Sequence, residues 1–96
     1  MKFERDDCTF EIPDRPTVRQ QLLFFGAASG LDRTDSILRY WEGAKQLIQK
    51  WECKAIPDYK ISLDDMSGTD QTQIIIWAGL QVLHFMNGLD DIPKNL

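Results

Sequence analysis

The feature that most constrains the fold is an uncharged segment in the last third of the chain, between Asp70 and Asp90. Its most apolar part, residues 74–86, has thirteen residues and still includes Gln81 and His84. A membrane-spanning helix needs about 20 mainly apolar residues, so this segment is too short and too polar at its centre to cross a bilayer. The pattern instead predicts a buried helix within a small domain.

Length and charge narrow the classes of protein further. A chain of 96 residues with 43% hydrophobic and 27% charged residues is typical of one globular domain, here residues 1–96. Fifteen acidic and eleven basic residues give a net charge of −4, and the excess of acids lies in residues 61–96. An acidic protein is disfavoured as a direct, non-specific binder of nucleic acid. Two cysteines are too few for a disulfide-rich secreted scaffold, and no signal peptide is visible.

Two helices are predicted in the first half of the chain. In residues 17–29, Val18, Leu22 and Phe25 recur at helical spacing, and Gly30 is suited to end the helix. A second helix is predicted from near residue 34 to near residue 54. Its apolar stripe falls at spacings of four and three residues and consists of Ile37, Trp41, Ala44, Ile48 and Trp51.

Two short strands and a third helix complete the expected fold. Alternation predicts a strand at residues 8–12 and another where Tyr59, Ile61 and Leu63 alternate with polar residues, and the two are expected to pair. The third helix is expected to begin at the cap Asp70 and to end at Gly88. The fold class is therefore mainly α, a three-helix domain with a short two-stranded β element. Residues 1–15 are an N-terminal arm or strand, and residues 89–96 are an extended tail.

Few residues are arranged for catalysis or metal binding. His84 lies in the apolar segment with no cysteine or histidine at ligand spacing, so a partly buried side chain is favoured over a general base or a metal ligand. Cys8 and Cys53 leave three alternatives open: a disulfide, a catalytic thiol, and two small buried hydrophobic residues, which we favour. The acidic pairs lack the spacing of a calcium-binding loop. We therefore expect no enzyme, no cofactor and no metal.

The third helix carries apolar residues around most of its circumference, more than two helices and a small ribbon are expected to cover. We therefore hypothesise that part of its surface binds another subunit. The alternative is that the N-terminal arm or the C-terminal tail covers it. The candidate apolar interaction residues are Tyr40, Trp51, Ile75, Trp77 and Phe85.

Three segments of the chain carry a family resemblance. YWEGAKQLIQKWEC at 40–53, the PD and LD pairs that follow, and IIIWAGLQVLHFMNGLDDIPKN at 74–95 resemble small proteins from the structural-gene clusters of tailed bacteriophages. The similarity is closest to short acidic tail-assembly proteins and covers roughly residues 16–96. It implies a helical accessory protein that binds other virion proteins, often as an oligomer, and is found in the bacterial host cytoplasm or the virion. It implies no particular functional residue.

The sequence therefore predicts a non-enzymatic protein–protein interaction or assembly factor, with virion components or a second copy as partner. The alternative is an inhibitor that occupies the nucleic-acid-binding surface of a host protein, with carboxylates in place of phosphates. A third class is an enzyme or metal protein centred on His84. The candidate acidic interaction residues of the inhibitor are Asp64, Asp65, Asp90 and Asp91. Increasing salt should weaken acidic mimicry steeply and apolar docking very little.

Overall fold

The computed structural model describes residues 1–29 and 36–91. The chain is mainly helical with a small antiparallel sheet, which confirms the predicted fold class. The sheet has three strands rather than two. In chain order the elements are β1 (Lys2–Arg5), β2 (Cys8–Glu11), α1 (Val18–Ser29), α2 (Ser36–Lys45), β3 (Lys50–Cys53), a 3-10 helix (Leu63–Asp65) and α3 (Thr69–Asp91).

The sheet has the order β1-β2-β3. Apolar and polar side chains alternate along its strands, so the apolar ones share one face, which is buried. The register places Phe3 opposite Phe10 and Phe10 opposite Trp51, so these three aromatic side chains form one row across the sheet. The other face carries charged and polar residues such as Glu4 and Glu52, which are exposed. The strand predicted at residues 8–12 is therefore confirmed, with its alternate side chains directed inward.

Helices α2 and α3 cover the apolar face of the sheet. The ring of Phe10 packs edge-on against Trp77 with centroids 5.3 Å apart, and Trp51 packs against Trp41 at 5.8 Å. The N-terminal strand also contributes, because Phe3 reaches the helix α3 ring of Phe85 at 6.5 Å. The largest fully buried side chains are Trp41, Phe10, Phe24, Ile12, Leu47, Ile56, Met86, Val82 and Cys8.

The predicted second helix is wrong beyond Lys45, where α2 ends. The following N–H groups of Gln46 and Leu47 bond three residues back, and Gln49 then donates to the β2 carbonyl of Glu11 at 2.9 Å. Residues 50–53 pair with β2 and satisfy its second edge. Trp51 and Cys53 fit an alternating strand pattern as well as a helical one, and the unpaired edge of β2 decides between them.

The predicted strand at residues 59–63 is also wrong, because the segment folds into local turns. The Asp58 side chain accepts from the N–H of Lys60 at 2.9 Å, and the hydroxyl of Ser62 accepts from Asp64 at the start of the 3-10 helix. Short polar side chains thus satisfy backbone groups that a strand would have left for a partner. Tyr59 packs against Trp51 with ring centroids 5.7 Å apart.

Helix α3 is longer than predicted at both ends. It begins at Thr69, one residue before the expected cap Asp70, and continues through Gly88 to Asp91. The expectation that Gly88 ends the helix is therefore wrong: glycine weakens a helix interior without preventing it. The expected extended tail at 89–96 is helical as far as Asp91, and its remainder lies outside the described residues, as do Gly30 and the predicted start of the second helix.

Candidate docking surface

Helix α1 exposes an apolar face to solvent. Val18, Leu22 and Phe25 lie on one stripe of the helix and are 72%, 67% and 38% exposed. Leu23, at the edge of the same outward half, is also exposed. The sequence pattern identified this stripe, and such a stripe ordinarily faces the core of its own domain. In this structure the stripe faces away from the core.

The inward half of α1 is the less apolar one. Phe24 is fully buried against α2, but its neighbours on this side are Gln20, Gln21 and two alanines, all partly exposed. The Gln20 side chain accepts from the Thr17 N–H at 2.8 Å, while the Gln20 N–H donates to the Thr17 hydroxyl at 3.1 Å. This reciprocal arrangement caps the start of the helix. The outward orientation of the stripe rests instead on Phe24, whose ring and carbonyl oxygen lie against Gly43 of α2.

The outward face of α1 is edged by positive charge. Arg15 and Arg19 are exposed at the start of the helix, and residues 15–29 contain no acidic residue. The nearest preceding acid, Asp14, accepts a hydrogen bond from the Met1 ammonium, which lowers the pKa of this exposed carboxyl below its ordinary value. The α1 surface therefore combines apolar side chains with guanidinium groups on a chain whose net charge is negative.

The surface expected on helix three is mostly covered within the chain. Ile75 is largely in the core, at 6% exposure, and also lines a groove between the starts of α2 and α3. Trp77 and Phe85 are partly buried against Phe10 and Phe3. The one large hydrophobic residue that α3 exposes in the described part of the chain is Ile76, at 36%.

Tyr40 and Trp51 are the remaining apolar candidates. Trp51 is a sheet residue packed between other rings, and its indole N–H donates to the Ile56 carbonyl at 2.7 Å. Tyr40 is partly buried, with its Cβ at the contact between α2 and Gly79 of α3. The structure therefore brings Trp51 and Trp77 together around Phe10 as parts of the core rather than as one exposed patch.

The four acidic candidates do not form one patch. Asp64 and Asp65 are exposed in the 3-10 helix that precedes α3, whereas Asp90 and Asp91 belong to the last turn of α3. A helix of 23 residues is about 33 Å long, so the two pairs lie at opposite ends of the molecule's longest element. Within the described backbone, the two pairs therefore lie apart rather than side by side.

A second apolar feature is a groove of about 270 Å³ between the start of α2 and the start of α3. Exposed Leu38 and Ile76 lie on its two sides, and Met66 from the preceding loop lies between them. The groove is smaller than most small-molecule sites. The groove is formed by residues outside α1, so its exposed apolar residues can be substituted as controls for substitutions in α1.

Cys8 and Cys53 are directly opposite each other in the β2–β3 ladder, and both are free and buried. They line a cleft of about 550 Å³ between the β1–β2 turn and the first turns of α3. Burial, together with a hydrogen bond to Cys53, raises the pKa of the Cys8 thiol well above its ordinary value. His84 is exposed on α3, so the expectation of a partly buried side chain is wrong. Across residues 1–29 and 36–91, no three histidine, cysteine or carboxylate side chains cluster as metal ligands would.

No family model, curated protein or solved structure matches the chain. The described helices include none with the length and apolar character needed to span a bilayer.

Sequence reasoning found the α1 stripe but not its orientation. Periodicity shows which side chains share a face of a helix, and it does not show which face the rest of the chain covers. One signal was available: the opposite side of α1 offers only Phe24 among small and amide side chains, so it has little to bury beyond one ring.

Proposed function

We propose that this protein is a non-enzymatic interaction factor that binds another protein through the outward face of α1. The observation that carries the proposal is the exposure of Val18, Leu22 and Phe25 on one stripe while the glutamine side of the same helix faces inward. Exposed apolar residues on a helix face are the usual anchors of helix-mediated recognition.

The apolar stripe supplies part of the free energy that binding needs. Full burial of a valine, leucine or phenylalanine side chain contributes about 1.5–3 kcal/mol, so the partly exposed stripe supplies on the order of 5 kcal/mol. The freedom lost on association costs about 4–15 kcal/mol, which offsets most of this gain. A specific complex therefore also needs the charges at the edge of the stripe to be paired.

Charge indicates what kind of partner fits. Arg19 lies on the exposed side of α1 and the exposed Arg15 precedes the helix, so a carboxylate-bearing surface would pair with them, whereas the α1 face of a second copy offers no carboxylate. The proposed partner is therefore a different protein that presents an apolar helix edged by acidic residues. Such pairing mainly sets partner choice and association rate.

The resemblance to short acidic tail-assembly proteins supports a more specific form of the proposal, in which that partner is a virion component and this protein assists tail assembly. The acidic-inhibitor alternative has less support, because Asp64 and Asp65 are separated from Asp90 and Asp91 by the length of α3. Apolar docking through α1 is the function that the exposed residues favour.

The test uses two synthetic amphipathic helical peptides with the same apolar face, one flanked by glutamates and one by lysines. We expect the full chain to bind the glutamate peptide more tightly, and Leu22→Asp to weaken that binding at least about tenfold, the factor that 1.4 kcal/mol produces. Leu22 is 67% exposed, so the variant should unfold at nearly the same temperature as the original chain. Calorimetric titration and thermal unfolding measure the two effects.

The matched control is Ile76→Asp, which places the same charge on an exposed apolar residue of the other groove and should leave peptide binding unchanged. Arg19→Asp should reverse the order of the two peptides. Equal loss of binding in Leu22→Asp and Ile76→Asp would contradict the α1 site. A dimer seen by light scattering that Leu22→Asp dissociates would instead identify a second copy as the occupant.

A further inference from the structure

The sheet contains a pair of cysteines that can react with each other. Cys8 and Cys53 are Cα partners in the antiparallel β2–β3 ladder. The next pair along, Asp7 and Lys54, shares a backbone hydrogen bond of 3.3 Å from the Lys54 N–H to the Asp7 carbonyl. Because bonded and non-bonded pairs alternate in such a ladder, the two cysteines occupy a non-hydrogen-bonded pair, where Cα atoms are about 4.5 Å apart. This separation is within the range that a disulfide spans.

The two thiols also face each other on the same side of the sheet. Both side chains point to the buried face, with exposures of 2% for Cys8 and 8% for Cys53. No rearrangement of the strands is needed to bring the sulfur atoms together. The pair is therefore preorganised by folding, although the residues are far apart along the chain.

A small molecule can reach this pair from one direction. The cleft of about 550 Å³ that both cysteines line is bounded by Arg5 and Lys54 as well as by Asp70. Arg5 lies across the cleft, since its guanidinium donates to the Gln73 carbonyl at 3.0 Å. The cleft is large enough for a peptide-sized thiol compound, and its lining offers both cationic and carboxylate groups, since Asp6 and Asp7 line it as well.

We propose that Cys8 and Cys53 are a modification site: a dithiol that forms a reversible cross-strand disulfide by exchange with a low-molecular-weight disulfide such as oxidised glutathione. This proposal is independent of the docking function of α1. Metal binding is disfavoured as the role of the pair, because the described residues offer no third ligand beside it.

The exchange has two balanced steps. The Cys53 thiolate attacks one sulfur of oxidised glutathione, so a mixed disulfide forms, the glutathione S–S bond breaks, and one glutathione leaves and takes up the proton that Cys53 lost. The Cys8 thiolate then attacks the Cys53 sulfur and expels the second glutathione, which takes up the proton of Cys8. The two cysteines are oxidised by two electrons in total, and one glutathione disulfide is reduced to two thiols.

The order of the steps follows from access. Cys53 is the more exposed of the two thiols, so it meets the oxidant first. Burial raises the pKa of Cys8, so Cys8 is the poorer nucleophile toward an oxidant in solution and reacts second, with the mixed disulfide held opposite it in the ladder. The new bond would close a loop that contains α1 and α2 and would tie β3 to the N-terminal hairpin.

The experiment titrates the reduced full chain with mixtures of reduced and oxidised glutathione. We expect a monomer that loses two hydrogen atoms by mass spectrometry and whose unfolding temperature rises by roughly 10–20 °C, because a disulfide across a long loop restricts the unfolded chain. Because the disulfide stabilises the folded chain, its equilibrium constant of formation should be about 30-fold to 1,000-fold larger in the folded chain than in the chain denatured in urea. Dithiothreitol should reverse both changes.

Single variants separate the roles of the two thiols. Cys8→Ser should stop at a glutathione adduct on Cys53, whereas Cys53→Ser should react much more slowly. The variant with both substitutions should show no change of unfolding temperature with oxidant, which controls for other effects of glutathione. A folded chain that stays reduced in excess oxidised glutathione, or that forms only disulfides between molecules, would overturn the proposal. So would equal disulfide formation in the folded and denatured chains.

Discussion

Trp41→Ala should lower the free energy of unfolding by about 3–5 kcal/mol, the usual range for removing a large aromatic side chain from a core. The indole of Trp41 is fully buried and packs edge-on against Trp51 with ring centroids 5.8 Å apart. The Lys45 ammonium lies 5.9 Å from the centroid of the Trp41 ring. Removal of this ring leaves a cavity where α2 meets the sheet, and the surrounding rings can only partly collapse into it.

Urea unfolding followed by circular dichroism measures this loss, since small domains often have only about 5–15 kcal/mol of stability in total. Trp41→Phe is the matched control. The buried Nε1 of Trp41 has no hydrogen-bond partner among the described residues, so phenylalanine removes an unsatisfied donor while keeping a ring. We expect Trp41→Phe to cost about 1 kcal/mol, within the range of tolerated core exchanges. A loss below about 1 kcal/mol in Trp41→Ala would show that this ring is not central to the core.

The parts of the fold that sequence predicted correctly are those fixed by local pattern. The alternation of Cys8, Phe10 and Ile12 identified β2, and helical spacing placed the first helix within one residue of α1. The mainly helical class and a small β element followed from the same signals. Each of these segments satisfies one period of hydrophobicity and has a breaking residue at its end, as Pro13 does after β2.

The wrong prediction of a helix through residue 54 depends on a partner distant in the chain. Ile48 and Trp51 continue the stripe of α2 at helical spacing, yet Trp51 belongs to β3 because the free edge of β2 lies beside it. No pattern within residues 34–54 contains that information. The strand expected at Tyr59 failed for a local reason, since the side chains of Asp58 and Ser62 already satisfy backbone groups there.

For the candidate site too, the local pattern was predicted correctly and the contacts with the rest of the fold were not. Helical spacing grouped Val18, Leu22 and Phe25, but the sequence could not show that α2 would cover Phe24 instead. For the converse reason, the sequence could not show that other parts of the chain cover most of the apolar residues of α3. Phe3 and Phe10 of the β1–β2 hairpin pack against Phe85 and Trp77 of α3, and the sequence did not indicate these contacts.

The attachment of α1 to α2 leads to the second large effect. Gly43→Ala should lower the free energy of unfolding by about 1–3 kcal/mol, as overpacking in a tight core does. A Cβ on Gly43 would lie 2.9 Å from a ring carbon of Phe24 and 3.0 Å from the Phe24 carbonyl oxygen. The ring could turn, but the carbonyl moves only if α1 moves. Since α1 packs chiefly on α2, this change should also displace the docking face.

Gly26→Ala is the matched control, because it makes the same change within a helix where a Cβ has no neighbour within 4 Å. It should stabilise the chain by roughly 0.5–1 kcal/mol, the gain of alanine over glycine in a helix. The difference between the two variants therefore isolates the contact of Gly43 with Phe24 from helix propensity. Gly43→Ala should also weaken binding of the glutamate-flanked peptide, which calorimetric titration measures. If both alanine variants stabilised the chain equally, α1 would not be seated on Gly43, and the outward orientation of its apolar stripe would lose its structural basis.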